Sequence, residues 1–190
     1  KIISTKYRDS NMVLKFDLMR FTLARQNRIL IVLSILSISS FSFNPTERDW
    51  NKIEKSIKQV FDISDCNFSQ LIMENNNNKD IYFAISSNEQ IVGYLVTGQA
   101  NSKHRQFDFY ILYSKNAIIL KVEVLTYRED YGFEMCNIKW LQQFIGLDTE
   151  NEFEYNSRVD GISGATISVN SIKHKVFTLS NKLKNNIKTL

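Results

Sequence analysis

At 190 residues, 43% hydrophobic and 12% aromatic, the chain can bury one core and is short for two. One proline and six glycines exclude fibrous and low-complexity architectures. The formal charge of +4 sits at one end: residues 1–43 hold seven Lys/Arg against two Asp/Glu, and residues 44–190 hold seventeen against eighteen, so no basic stripe remains to track a nucleic-acid backbone.

Arg20, Arg25 and Arg28 precede Ile29–Phe43, fifteen residues with ten apolar side chains, five Ser and no charge. A basic stretch followed by a short apolar run is the pattern of a secretion signal, and Ser40-Phe41-Ser42 places small residues where a signal peptidase reads. A permanent membrane helix needs about 20 apolar residues. Residues 1–43 therefore read as a cleaved signal, with an uncleaved membrane anchor as the alternative, and residues 44–190 as one domain.

Within that domain, Pro45-Thr46-Glu47-Arg48-Asp49 carries helix-start chemistry, and Trp50, Ile53, Ile57, Val60 and Phe61 make one apolar helix face. Asn75–Asn78 reads as a polar loop. Ile81–Ser86 and Ile91–Thr97 flank a Ser86–Gln90 turn, the pattern of a hairpin. Phe107, Phe109, Ile111 and Tyr113 alternate along a third strand. Ile118, Leu120, Val122 and Val124 do so along a fourth, with Lys121 and Glu123 opposite. Helices are expected near Asn137–Phe144 and from about Ser168 to Ile187. The fold class is α+β, a small antiparallel sheet packed with helices, because consecutive strands joined by short turns pair antiparallel.

Ile172, Val176, Leu179, Leu183 and Ile187 lie four, three, four and four apart on one face of the final helix. The run Asp160-Gly161-Ile162-Ser163-Gly164-Ala165-Thr166-Ile167-Ser168 feeds its start. Thr166 should thus follow a tight turn into a helix N-terminus, where N–H groups without intrahelical partners and the helix dipole favour an anion. A phosphate on or beside Thr166 would be well placed, with Gly164 permitting unusual backbone angles and Ala165 adding little bulk. Thr166 and Ser168 also suit plain helix capping.

Asp160-x-x-Ser163-Gly164-Ala165-Thr166 resembles the flavinylation motif of the FMN-binding domain in RnfG- and NqrC-type subunits of membrane-bound electron-transfer complexes. Tyr127-Arg128-Glu129-x-x-Gly132-x-Glu134 resembles that family's turn, and Trp140-Leu141-x-x-Phe144-x-Gly146 its following helix, in the same order. The resemblance covers roughly Ile81 to Leu190. It implies an FMN esterified through its phosphate to Thr166, transferred from FAD by a flavin transferase. It also implies a site that includes Asp160, Ser163, Gly164, Ala165, Ser168, Glu129 and Gly132. The implied role is electron relay between membrane redox proteins, in the periplasm or on the outer face of the cytoplasmic membrane. The Tyr127–Glu134 turn lacks the Thr-Pro-Gly element of better-known relatives, so a stand-alone carrier fits as well as a complex subunit.

Trp140 and Phe144, four apart, read as a core pair more readily than as flavin contacts. Two cysteines, Cys66 and Cys136, are too few for a four-Cys iron–sulfur or zinc site, and their pairing is open. His174 falls between Lys173 and Lys175 on the outer side of the final helix. No P-loop, dinucleotide fingerprint or nucleophile triad is present. The alternatives to an electron carrier are a small FMN-dependent reductase and a binding module on the same fold without flavin.

Overall fold

The computed structural model describes residues 45–73, 80–147, 155 and 157–188; the basic and apolar N-terminal segment and the Asn75–Asn78 loop lie outside them. The first helix, α1 (Glu47–Phe61), begins with a reciprocal cap. Thr46 Oγ1 accepts from Asp49 N–H at 3.2 Å, and Asp49 Oδ2 accepts from Thr46 N–H at 3.0 Å. Five strands follow in a simple meander: β1 (Asn67–Leu71), β2 (Ile81–Ser87), β3 (Gln90–Asn101), β4 (Gln106–Ser114) and β5 (Ile119–Thr126). All neighbouring pairs are antiparallel, in the order β1-β2-β3-β4-β5. A short helix, α2 (Ile138–Leu141), lies between 3₁₀ turns at Phe133–Cys136 and Gln142–Phe144, and α3 (Thr166–Ile187) closes the domain. The expected α+β class is the observed one. Among the described residues no helix is long and apolar enough to cross a membrane.

The sheet is covered on both faces. Val169, Ile172, Val176, Leu179 and Leu183 of α3 join Phe107, Phe109, Ile111 and Tyr113 in one core cluster. Ile53 and Ile57 of α1 pack on Ile85, Leu95, Tyr110 and Leu112 in the other. That is why β4 is buried along nearly its whole length rather than on alternate residues. The hairpin turn is tighter than expected: Asn88 and Glu89 alone connect β2 to β3, both with positive φ (50° and 63°), as a two-residue turn matched to strand twist requires.

Two expectations are corrected. In β5 the register shifts, Leu112 facing Lys121 while Tyr113 faces Ile119; the bulge at Leu120 turns Ile119 into the core and leaves Ile118 exposed. An edge strand, β1, precedes the hairpin and was not expected; its half-buried, polar NFSQL sequence carries little alternation. Cys66 and Cys136 are free thiols associated with opposite core clusters, and burial pushes the Cys136 thiol up to about 11.

Lys121 and Glu123 do lie opposite the α3 core, but beneath α1. Glu123 accepts from Tyr110 OH at 2.6 Å, Lys52 Nζ at 2.8 Å and Lys121 Nζ at 2.9 Å, and Lys121 also reaches Ser56 Oγ at 2.8 Å. Burial by itself would raise the Glu123 carboxyl, but these hydrogen bonds and the Lys121 charge outweigh it and hold the group down at about 2. A depressed carboxyl stabilises the fold fully above its ordinary range near 4.5 and loses that contribution as pH falls toward 2. Glu123→Gln is therefore expected to lower stability at pH 7 by about 1–3 kcal/mol and to flatten its fall between pH 5 and about 2. Thermal melts followed by circular dichroism across that range are the check; an unchanged pH slope would remove Glu123 from acid stability.

Candidate functional site

β3 and β5 run in the same direction, so the β3–β4 turn and the chain leaving β5 emerge at one end of the sheet. The start of α3 meets them there. Together they line a cleft of about 490 Å³ formed by Lys103 and His104 from the turn, Tyr127 and Glu129 to Tyr131 after β5, and Gly164 to Ser168 at the helix start. That volume is in the range of small-molecule sites.

The helix start is built from small residues for identifiable reasons. Ala165 N–H donates to Ile162 C=O at 3.2 Å, closing a four-residue turn with Gly164 in its third position at φ 81°. A turn of that kind needs a positive φ there, which glycine adopts without strain. A Cβ on Gly164 would meet nothing within 4 Å, so the backbone angle, not crowding, is the constraint. Ala165 is buried and serves as N-cap, with a methyl group that cannot accept a hydrogen bond. Thr166 is the first residue of the helix and exposed, so its hydroxyl is not the cap. The helix start therefore has no side-chain cap, and Thr166, Ile167 and Ser168 of its first turn line the cleft.

Ser168, considered as a cap, is instead buried and bonded to Tyr127 across 3.0 Å. Tyr127 OH donates to Tyr131 C=O at 3.1 Å, which leaves Ser168 to donate to Tyr127. Gly132, at φ 83°, lies directly on Ala165; a Cβ there would come to 2.9 Å from the Ala165 methyl and 3.0 Å from Tyr127 OH.

Glu129 lines the cleft but directs its carboxylate into the neighbouring turn. Its Oε1 accepts from Ser102 Oγ, from His104 N–H at 2.8 Å and from Arg105 N–H at 2.9 Å. The Ser102 hydroxyl and these two amides hold the carboxyl down to about 2. Beside it Arg128 pairs with buried Asp108 and donates to Gln106 C=O at 2.8 Å. Asn101 N–H donates to Ser171 Oγ of α3 at 2.8 Å, which ties the end of β3 to the final helix.

Asp160 and Ser163 are outside the cleft lining. The Asp160 backbone is docked on the α2 region, its N–H donating to Gln143 Oε1 at 2.8 Å and its C=O accepting from Trp140 Nε1 at 3.1 Å, while its side chain is exposed. Trp140 and Phe144 make an edge contact at 5.5 Å inside the core, the expected role. The cleft residues missed from sequence are Lys103, His104, Asp130, Tyr131 and Ile167, and Tyr127 was expected only as part of the turn. The first two were recoverable from topology, since an antiparallel meander returns every second turn to the same end.

Residues 103–178 match the profile of the FMN-binding domain, and every residue lining the cleft falls within that segment. This segment is thus similar to the FMN-binding domain family, which points to flavin as the ligand. No curated protein sequence matches it. The site suits FMN on structural grounds: an uncapped helix N-terminus for a phosphate, beside an open cleft with aromatic and basic walls.

Gly132→Ala is expected to cost about 1–3 kcal/mol in urea unfolding, from a strained φ and contact with Ala165. A loss below about 0.5 kcal/mol would mean that the turn rides free of the helix. Glu129→Ala should speed amide hydrogen exchange at His104 and Arg105 by roughly tenfold or more. Unaltered exchange would show that the turn holds itself.

Proposed function

We propose that this chain is an exported FMN carrier that holds its cofactor as a phosphoester on Thr166 and relays electrons between membrane or extracytoplasmic redox partners. The observation that carries the reading is the start of α3: an exposed first-position threonine at the mouth of a cleft, on a 22-residue helix with an N-cap side chain that is only a methyl group. A helix of that length presents its dipole and first-turn N–H groups to whatever anion sits on Thr166.

Attachment on this reading is a phosphoryl transfer from FAD by a flavin transferase. The Thr166 oxygen attacks the phosphorus on the riboflavin side. The new P–O bond replaces the bond to the bridging oxygen, AMP leaves with that oxygen, and the hydroxyl proton passes to the transferase or solvent. Asp160 and Ser163, exposed on the loop that leads into Thr166, are placed to be read by that enzyme rather than to touch the flavin.

The chain's own residues supply position and electrostatics. Thr166 fixes the phosphate end, Gly164 and Ala165 keep the approach clear, and Ser168 with Tyr127 holds the helix start against the far wall. Glu129 keeps Lys103 and His104 in that wall through the turn backbone. Gly132 allows the wall to approach at all. The bound flavin supplies the redox chemistry, taking up and returning one or two electrons.

Residues 1–43, basic then apolar, support export and make residues 44–190 the mature FMN-binding domain. A covalent link suits that location, because FMN lost outside the cytoplasm would not be regained.

The test is the intact mass of the mature protein co-expressed with a flavin transferase in an exporting host. A gain of one FMN less one water is expected for the wild type and for Ser168→Ala, and none for Thr166→Ala. An adduct that survives Thr166→Ala would move the attachment elsewhere. Yellow protein without any adduct would replace the carrier by a non-covalent, reductase-type flavoprotein, and colourless protein by a binding module.

A further inference from the structure

Tyr131 lines the cleft beside Thr166 and is 82% exposed. A large aromatic ring so open is ordinary on a loose loop, but its backbone is held on three sides. Its carbonyl accepts from Tyr127 OH, which is bonded to Ser168 of α3. The next residue, Gly132, is pressed on Ala165. Two residues earlier, Glu129 is anchored by three donors of the β3–β4 turn. The ring is thus carried on a fixed support, at the rim of a cleft whose other apolar exposed residue is Ile167 at 53%. An apolar surface of this kind, bordered by Lys103, His104 and Asp130, marks a place for a flat, partly apolar ligand.

We propose that Tyr131 is the stacking platform for the isoalloxazine ring, covering one of its faces while Thr166 holds the phosphate end. The proposal rests on the reading of Thr166 as the attachment point. The structure supplies its elements: an anchor at the helix start, an exposed aromatic ring lining the same cleft, and a hydrogen-bonded connection between them through Tyr127 and Ser168. Aromatic faces attract one another in offset stacks, and two planar systems lose little conformational freedom in doing so. Phe133, although 55% exposed, turns its ring against Tyr127 at 5.5 Å and is absent from the cleft lining, so it does not compete for this role.

The test uses the flavinylated protein, with intact mass establishing full FMN occupancy in every sample. A phenol in contact with excited flavin quenches it by electron donation, and a fixed stack imposes circular dichroism on the visible flavin bands. Tyr131→Leu should raise flavin emission several-fold and abolish most of the visible dichroism. Tyr131→Phe should raise emission, because phenylalanine is a poor donor, while keeping the dichroism. Phe133→Leu should change neither. Wild-type emission and dichroism in a fully flavinylated Tyr131→Leu protein would overturn the proposal, as would an equal effect from Phe133→Leu. A wild type without FMN would instead overturn the attachment reading, and this inference with it; far-ultraviolet dichroism separates either result from misfolding.

Discussion

The arrangement at the working end of this domain depends on one close approach, the backbone of Gly132 lying on the methyl of Ala165. Any side chain at position 132 would come within 2.9 Å of that methyl, and anything larger than alanine at 165 would push the two segments apart. Once they touch, polar contacts fall into place around them: Ser168 to Tyr127, Tyr127 to the Tyr131 carbonyl, Glu129 to the turn, Ser171 to the end of β3. Each is a single hydrogen bond or a small cluster, individually worth about 1 kcal/mol. Their effect is geometric. They fix the first turn of α3 relative to the cleft wall, so the position of Thr166 is set by its neighbours rather than by bonds of its own.

The rest of the fold holds that end still. β4 is buried on both faces, with Phe107, Phe109, Ile111 and Tyr113 beneath α3 and Tyr110 and Leu112 beneath α1. The segment that matches the FMN-binding family starts at Lys103, so α1, β1, β2 and β3 lie outside it. They nevertheless finish the sheet and cover its second face. The charged cluster around Glu123 sits between the sheet and that covering helix, away from the cleft lining. One side of the sheet is therefore scaffold, and the candidate site is confined to one end of the other.

Much of this was legible in the residues. The apolar spacing of α3 and the face of α1 follow from local periodicity, which depends on nothing distant. The phase of β5 does not: Ile119 is buried in place of Ile118 because of a bulge against Leu112 and Tyr113, a property of the pair of strands. β1 escaped notice because an edge strand is half covered and need not alternate. At the site, the motif located Thr166, and the helix start there was foreseeable from its glycine and the periodic run that follows. Glu129 was expected at the site and lines the cleft, but its bonds were not legible, because its partners come from a turn some twenty-five residues earlier. Tyr131 was invisible, since exposure together with a clamped backbone appears only in three dimensions.

The openness of the cleft bears on the electron carrier proposed above. A flavin held only by non-covalent contacts has to be enclosed, since affinity then depends on burying the ring system. A flavin tethered through its phosphate is released from that requirement, and its ring can remain where a partner reaches it. The walls here follow the second logic. Thr166, the proposed attachment point, sits at the start of a long, well-packed helix, while Lys103, His104, Tyr131 and Ile167 are exposed around the cleft. A platform on one face and solvent on the other would restrain the ring without hiding it. On the proposed reading the covalent bond and the exposed wall would be two halves of one solution: retention would fall to Thr166, leaving the remainder of the site to orient the ring and pass electrons.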